Sequence, residues 1–392
     1  MPRLASKPAA EKPPPTAVQP PLQTDEPDGA ADESNVTELA TTKAAAAKQG
    51  KRAHSAAKGN ADEFGFTALD DTVDYLNVLL YGREGTAKTT SAAFAANVAA
   101  KQGKGRVLVV NAEGGLKAVA LRRRGIDTSR IAVWPDPEKG EQITFKSLER
   151  LHERLLSDLT DDPGCWFAVI IDSLTDVHVA LREQATDKRI NKMQNDPRVT
   201  DKSLIDEDFV DRDDYGVMTN QLRQLTRRFR DLPCHVIITA LERTDDKTGV
   251  VGPSLTPALA GDVLGYVDLV MYLRATLHAT GEDEDDALAE FRALTRPGKV
   301  TRAKDRFDLT PRVLVEPRFD RILGYIMGEL EEASDPIQAA YVQRRAAEAA
   351  AEAAAAAERE RAKASKKSKP KKGKADKNDD SADAAQDGDS DA

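Results

Sequence analysis

The run Gly82-Arg83-Glu84-Gly85-Thr86-Ala87-Lys88-Thr89-Thr90 carries the groups that hold a polyphosphate. In such a loop the backbone N–H groups of a glycine turn point at phosphate oxygens, a lysine reaches the outer phosphates, and the hydroxyl beside it is a ligand for Mg²⁺. Those roles fall to Gly82 through Ala87, to Lys88 and to Thr89, with Thr90 closing the run. The usual pattern has Gly immediately before the lysine, and Ala87 stands there instead. If that position needs a positive φ, its Cβ costs on the order of 1 kcal/mol. A second group is Asp172, at the C-terminal tip of the apolar run Trp166 to Ile171. A direct or water-bridged Mg²⁺ ligand facing the loop must lie at such a tip, although an Asp capping the next helix gives the same pattern.

The elements that position these residues follow from hydrophobic patterning. Asn77 to Tyr81 is a continuous apolar run before the loop, and an Ala-rich helical stretch follows it to Gly103, giving strand, glycine loop and helix. Further apolar runs lie at Val107 to Val110, Ile131 to Trp134, Trp166 to Ile171, Val236 to Ala240 and Leu269 to Leu273. Strands apolar on both faces belong to a mostly parallel sheet. Leu148, Leu151, Leu155 and Leu159 share one helical face, as do Tyr215, Met218, Leu222, Leu225, Phe229 and Leu232. Strands alternating with helices predict a doubly wound α/β sandwich of three layers.

Of 392 residues 40% are hydrophobic, enough for one large core. Residues 1–62 are Ala/Pro/Lys-rich without apolar periodicity and read as disordered, 63–333 as the folded core, and 334–392 as an Ala/Glu-rich helix with a charged tail, solvated or docking a partner. A net charge of -9 excludes a general polyanion binder, so any nucleic-acid contact must come from local basic patches. The only cysteines, Cys165 and Cys234, sit at the entrances to apolar runs, which suits buried thiols and a reducing cytoplasm. No apolar stretch approaches the roughly 18 residues of a membrane span, and no signal-peptide core is present.

Val107 to Glu113 (VLVVNAE), Gly125-Ile126-Asp127, the strand Ile131 to Trp134, Gly140-Glu141-Gln142 and then Ile170 to Ser173 (IIDS) succeed one another in an order and spacing that resembles bacterial RecA recombinases. Asp214-Tyr215-Gly216 and Ala303-Lys304-Asp305-Arg306 are similar to segments of phage single-strand-annealing ATPases built on the same core. The resemblance implies a RecA-like P-loop NTPase using ATP and Mg²⁺, with Glu113 as the general base that orients the attacking water. It puts Thr239 where RecA proteins have a γ-phosphate-sensing Gln, and Lys304 and Arg306 where paired cations reach a neighbouring subunit's ATP. Two cations on a strand edge can equally be solvated. The family's adenine-stacking Tyr falls at Ala120, so the base contact does not carry over.

RecA-like proteins hold DNA on two loops, matching about 182–213 and 242–261 here. The first carries Arg182, Lys188, Arg189, Lys192, Arg198 and Lys202 among many Asp residues, and Arg223, Arg227, Arg228 and Arg230 form a possible stripe that a solvated helix face would also produce. The expected function is a DNA-stimulated ATPase acting on single-stranded DNA in recombination or annealing, from a bacteriophage or its bacterial host. The expected partners are single-stranded DNA, further copies of the chain in a ring or filament, and a single-strand-binding protein or replication partner, with no membrane. Two alternatives stay open: a nucleotide-gated binding module with negligible turnover, and a RecA-like helicase or helicase loader.

Overall fold

The computed structural model describes residues 75–367 except 137, 200, 203–205, 207–210 and 279–287. The segment 1–62 and the charged tail beyond 367 lie outside the described residues. Within them the chain is an α/β sandwich. Strands β1 (Asn77–Gly82), β2 (Arg106–Asn111), β3 (Ile131–Trp134), β4 (Trp166–Asp172), β5 (His235–Thr244), β6 (Val251–Pro253), β7 (Leu269–His278), β8 (Leu288–Leu294), β9 (Lys304–Asp305) and β10 (Val313–Val315) alternate with helices α1 (Lys88–Ala93), α2 (Ala95–Lys101), α3 (Ala118–Arg123), α4 (Phe145–Asp161), α5 (Leu174–Asn195), α6 (Arg212–Arg230), α7 (Pro257–Tyr266), α8 (Phe319–Ile326) and α9 (Pro336–Lys367).

The main sheet runs β10-β8-β7-β1-β5-β4-β2-β3. From β3 to β7 neighbouring strands are parallel, and β8 and β10 add an antiparallel annex at one edge. Period-2 alternation divides the side chains between two cores. Leu79, Tyr81, Val169, Ile171, Val236 and Ile238 face α4 to α7, while Val78, Leu80, Val109, Ile170, Ile237 and Met271 face α1, α2 and α8.

The sequence-predicted strands all form, but β5 runs past Ala240 to Thr244, and the annex was not anticipated. Capping boxes start α4, through Thr144 and Ser147, and α6, through Asp211 and Asp214. Two helix readings need correction. Tyr215, placed on the buried face of α6, lies in its first turn and is 38% exposed. The first part of the expected loop 182–213 is instead the outer part of α5, which continues to Asn195.

Candidate functional site

The sheet fixes the site's location. Strand β1 is central and parallel to β5 on one side and β7 on the other, so the loop after it emerges at the carboxyl ends of the parallel strands, where ligands of open α/β sheets bind. Gly82 ends β1 so close to β7 that a Cβ would lie 2.4 Å from the Leu273 carbonyl oxygen, which explains why a glycine is needed there. Gly85 has φ +72°. Ala87 takes φ 63° and ψ 24°, so the position does need the left-handed region. Thr86 is buried and its hydroxyl donates to the Arg83 carbonyl at 2.8 Å, bracing the turn from inside. Arg83 and Glu84 face solvent.

Lys88 is 7% exposed, and its Nζ donates to the carbonyls of Gly82 at 3.0 Å and Arg83 at 2.7 Å. Burial pulls its pKa down, opposed by the nearby carboxylates of Glu113 and Asp172. The Thr89 hydroxyl donates to both carboxylate oxygens of Asp172, at 3.0 and 2.9 Å. Ser173, not Asp172, caps α5, its hydroxyl accepting from the Asp176 N–H, so the capping reading of Asp172 is removed. Asp172 is 2% exposed, and burial raises its pKa against the hydrogen bonds from Thr239 and Thr89.

Glu113 follows β2 at the open mouth of the site, its N–H donating to the Asp172 carbonyl at 3.1 Å. Partial burial raises its pKa first, and the charges of Asp172 and Asp176 raise it further. Lys88 is the cation that opposes this. A site with clustered carboxylates and a hydroxyl already paired with one of them fits a hard divalent cation. Thr89 and Asp172 would hold Mg²⁺, directly or through water, and the ion would supply charge neutralisation to phosphate oxygens. Lys88 and the N–H groups of the loop would hold the phosphates of ATP.

Thr239 differs from expectation. The longer β5 leaves it wholly buried rather than at a strand end, and its hydroxyl donates to Asp172 Oδ1 at 2.6 Å. Its hydroxyl orients the carboxylate. Lys304 and Arg306 also lie elsewhere: β9 pairs with the start of β7, at the opposite end of the sheet from the loop. Lys304 Nζ donates to the carbonyls of Leu264, Gly265 and Val267 at 3.1, 3.4 and 2.7 Å, closing the C-terminus of α7. Arg306 Nη1 meets Asp268 Oδ1 at 2.7 Å. Neither belongs to this chain's own phosphate site, and action on a neighbour's ATP would require these contacts to open.

Five of the ten expected basic residues make contacts within the fold. Arg189 pairs with buried Asp214 at 2.8 Å, Arg223 with Asp262 at 2.5 Å, Arg228 with Glu149 at 2.8 Å and Arg230 with Asp231 at 2.7 Å. The Arg227 guanidinium stacks 4.8 Å from the centre of the Tyr266 ring. Lys188 and Lys192 remain exposed, one turn apart on α5. One functional candidate was missed: Glu242 accepts from Arg83 Nε at 2.9 Å, tying β5 to the loop. No sequence signal marks it, because it lies beyond the predicted end of that strand.

A parallel sheet whose central strand leads into a lysine-bearing glycine loop, with a strand-end carboxylate bound to the loop's threonine, defines a P-loop nucleotide-binding ATPase. The chain belongs to the AAA domain family AAA_24, whose model matches residues 74–307, a span that takes in every site residue named above. No curated protein matches the chain. Among the described residues no helix is long and apolar enough to cross a membrane.

Proposed function

We propose that this chain hydrolyses ATP with Mg²⁺ and couples turnover to single-stranded DNA during recombination or strand annealing. The observation that carries the hydrolytic part is the meeting of Lys88, Thr89, Asp172 and Glu113 at one edge of the sheet: a phosphate cation, two Mg²⁺ ligands and a carboxylate whose raised pKa suits proton transfer. Glu113 takes the proton of the attacking water, and Thr239 holds Asp172 in place. The coupling to DNA is supported by the sequence resemblance to recombination ATPases and by the exposed Lys188 and Lys192. On the same resemblance the chain works as a homo-oligomer of phage or bacterial origin.

The test is steady-state phosphate release with and without single-stranded DNA. Turnover that DNA accelerates supports the whole reading. Turnover indifferent to DNA removes the coupling and leaves the ATPase. ATP binding without turnover under either condition favours a nucleotide-gated binding module.

A further inference from the structure

A cavity of about 570 Å³ opens on the flank of the glycine loop, within the size range of small-molecule sites. Thr90 and Ser91 form its floor, and Phe94, Phe291, Pro317 and Arg318 form its walls. Thr90 directly follows the Mg²⁺-binding Thr89, so the cavity begins where the phosphate cradle ends. It lies on the side of the loop away from Asp172 and Glu113, since its far wall is the β8–β10 annex and the start of α8.

The walls are planar. The Arg318 guanidinium lies 4.7 Å from the centre of the Phe94 ring, and the Arg124 guanidinium lies 5.9 Å from that of Phe291. Flat guanidinium and aromatic surfaces are the ones on which bases stack. The turn before Arg318 is also strained: Glu316, at the cavity rim, has φ 46°, left-handed for a residue with a full side chain. Hydrogen bonds from Glu316 N–H to the Phe291 carbonyl at 2.8 Å and from Arg318 N–H to the Glu316 carbonyl at 2.7 Å hold it there. That turn fixes Pro317 and Arg318 over the cavity.

Resting on the ATPase reading above, we infer that this cavity is the nucleoside subsite. A triphosphate whose outer end points to Glu113 has its inner end at Thr90, and the base then lies against Phe291 and the Arg318 plane. Ala120, the position of the stacking residue in the resembling family, is exposed on α3 and is not a wall of this cavity. Pro317 and Arg318 lie beyond the matched span 74–307, so this contact is a property of the chain's own C-terminal annex.

The experiment measures Mg²⁺-dependent binding of ATP and of inorganic tripolyphosphate to the full chain, by calorimetry, for the parent, Lys88→Ala, Phe291→Leu and Arg318→Gln. Phe291→Leu keeps the apolar volume but removes the ring plane. Both cavity variants are expected to weaken ATP binding about tenfold while tripolyphosphate binding stays within twofold, which also reports that the loop remains folded. Lys88→Ala weakens both ligands. ATP affinity unchanged in both cavity variants, or ATP and tripolyphosphate weakened equally, overturns the subsite. A parent that binds neither ligand overturns the phosphate site itself.

Discussion

Ala87 keeps a Cβ in a backbone geometry that glycine adopts freely, and the energy of that choice is stored in the loop. Ala87→Gly is therefore expected to raise stability by up to about 1 kcal/mol, read as a shift of the urea midpoint, with nucleotide affinity retained or tightened. Lys88→Ala loses tight ATP binding in a fluorescent-analogue titration, because no other side chain of the loop brings a cation inward. Glu113→Gln keeps binding and slows hydrolysis at least tenfold, since a general base contributes about 10² to 10⁴ in rate. The charge of Glu113 must be present for that role, and its pKa is raised. Its ionised form is lost as pH falls through that raised value, so the acid limb of the parent's rate profile lies above the ordinary glutamate range. A profile falling only at the usual carboxylate pH removes Glu113 as the base. At this scale the sequence was informative where a motif fixes both residue type and spacing, as with Lys88, Thr89 and Asp172. It was silent on Thr239 as an orienter and on Glu242, because both depend on how far β5 extends and on what faces it across the sheet.

The strands and helices were legible because their apolar periods are regular, and the exceptions have local causes. The outer half of α5 reads as a polar loop, yet Arg189 pairs with Asp214 on α6 and holds the two helices together in a partly buried setting. The side chains involved are 18% and 7% exposed, so removing one partner leaves a poorly solvated charge. Arg189→Glu is expected to cost about 3 kcal/mol, seen as a lowered thermal midpoint. Lys188→Glu with Lys192→Glu, by contrast, leaves the melting temperature in place and weakens binding to single-stranded DNA, with a shallower salt dependence. If that double variant binds DNA as the parent does at every salt concentration, α5 is not the contact. The annex escaped prediction because β10 is three residues long, too short to show a period, and β8 carries Glu290 and Arg292 among its apolar residues instead of a continuous apolar run.

His235, at the start of β5, borders the core that faces α1, α2 and α8. Its ring packs against Phe167, Phe319 and Tyr75, with centroids at 4.8, 5.7 and 5.8 Å, and its Nδ1 accepts from the Leu76 N–H at 2.9 Å. Burial lowers its pKa from 6.5 to about 4. The unfolded chain therefore binds the proton first as pH falls: the stability is complete above about 6.5 and is lost progressively toward 4. The loss by pH 4 is on the order of 3 kcal/mol. His235→Asn, which keeps an acceptor for Leu76, should flatten that part of the urea-midpoint profile, and an unchanged slope would assign the loss to other groups. Helix α9 spans 32 residues, about 48 Å at 1.5 Å per residue, and among the described residues its contacts with the core lie at its N-terminal end. Asp335 accepts from Arg321 and from Tyr325, the latter at 2.7 Å, and Gln338 donates to the Val313 carbonyl at 2.7 Å, whereas Ala349 to Arg361 are exposed throughout. A rod clamped at its root amplifies angle into distance, so a 5° rotation at the clamp swings a tip 48 Å away through about 4 Å. Arg344, one of the root residues, also borders the cavity beside the loop. A small movement of the cavity wall would therefore be felt as a long stroke at the far end of the helix.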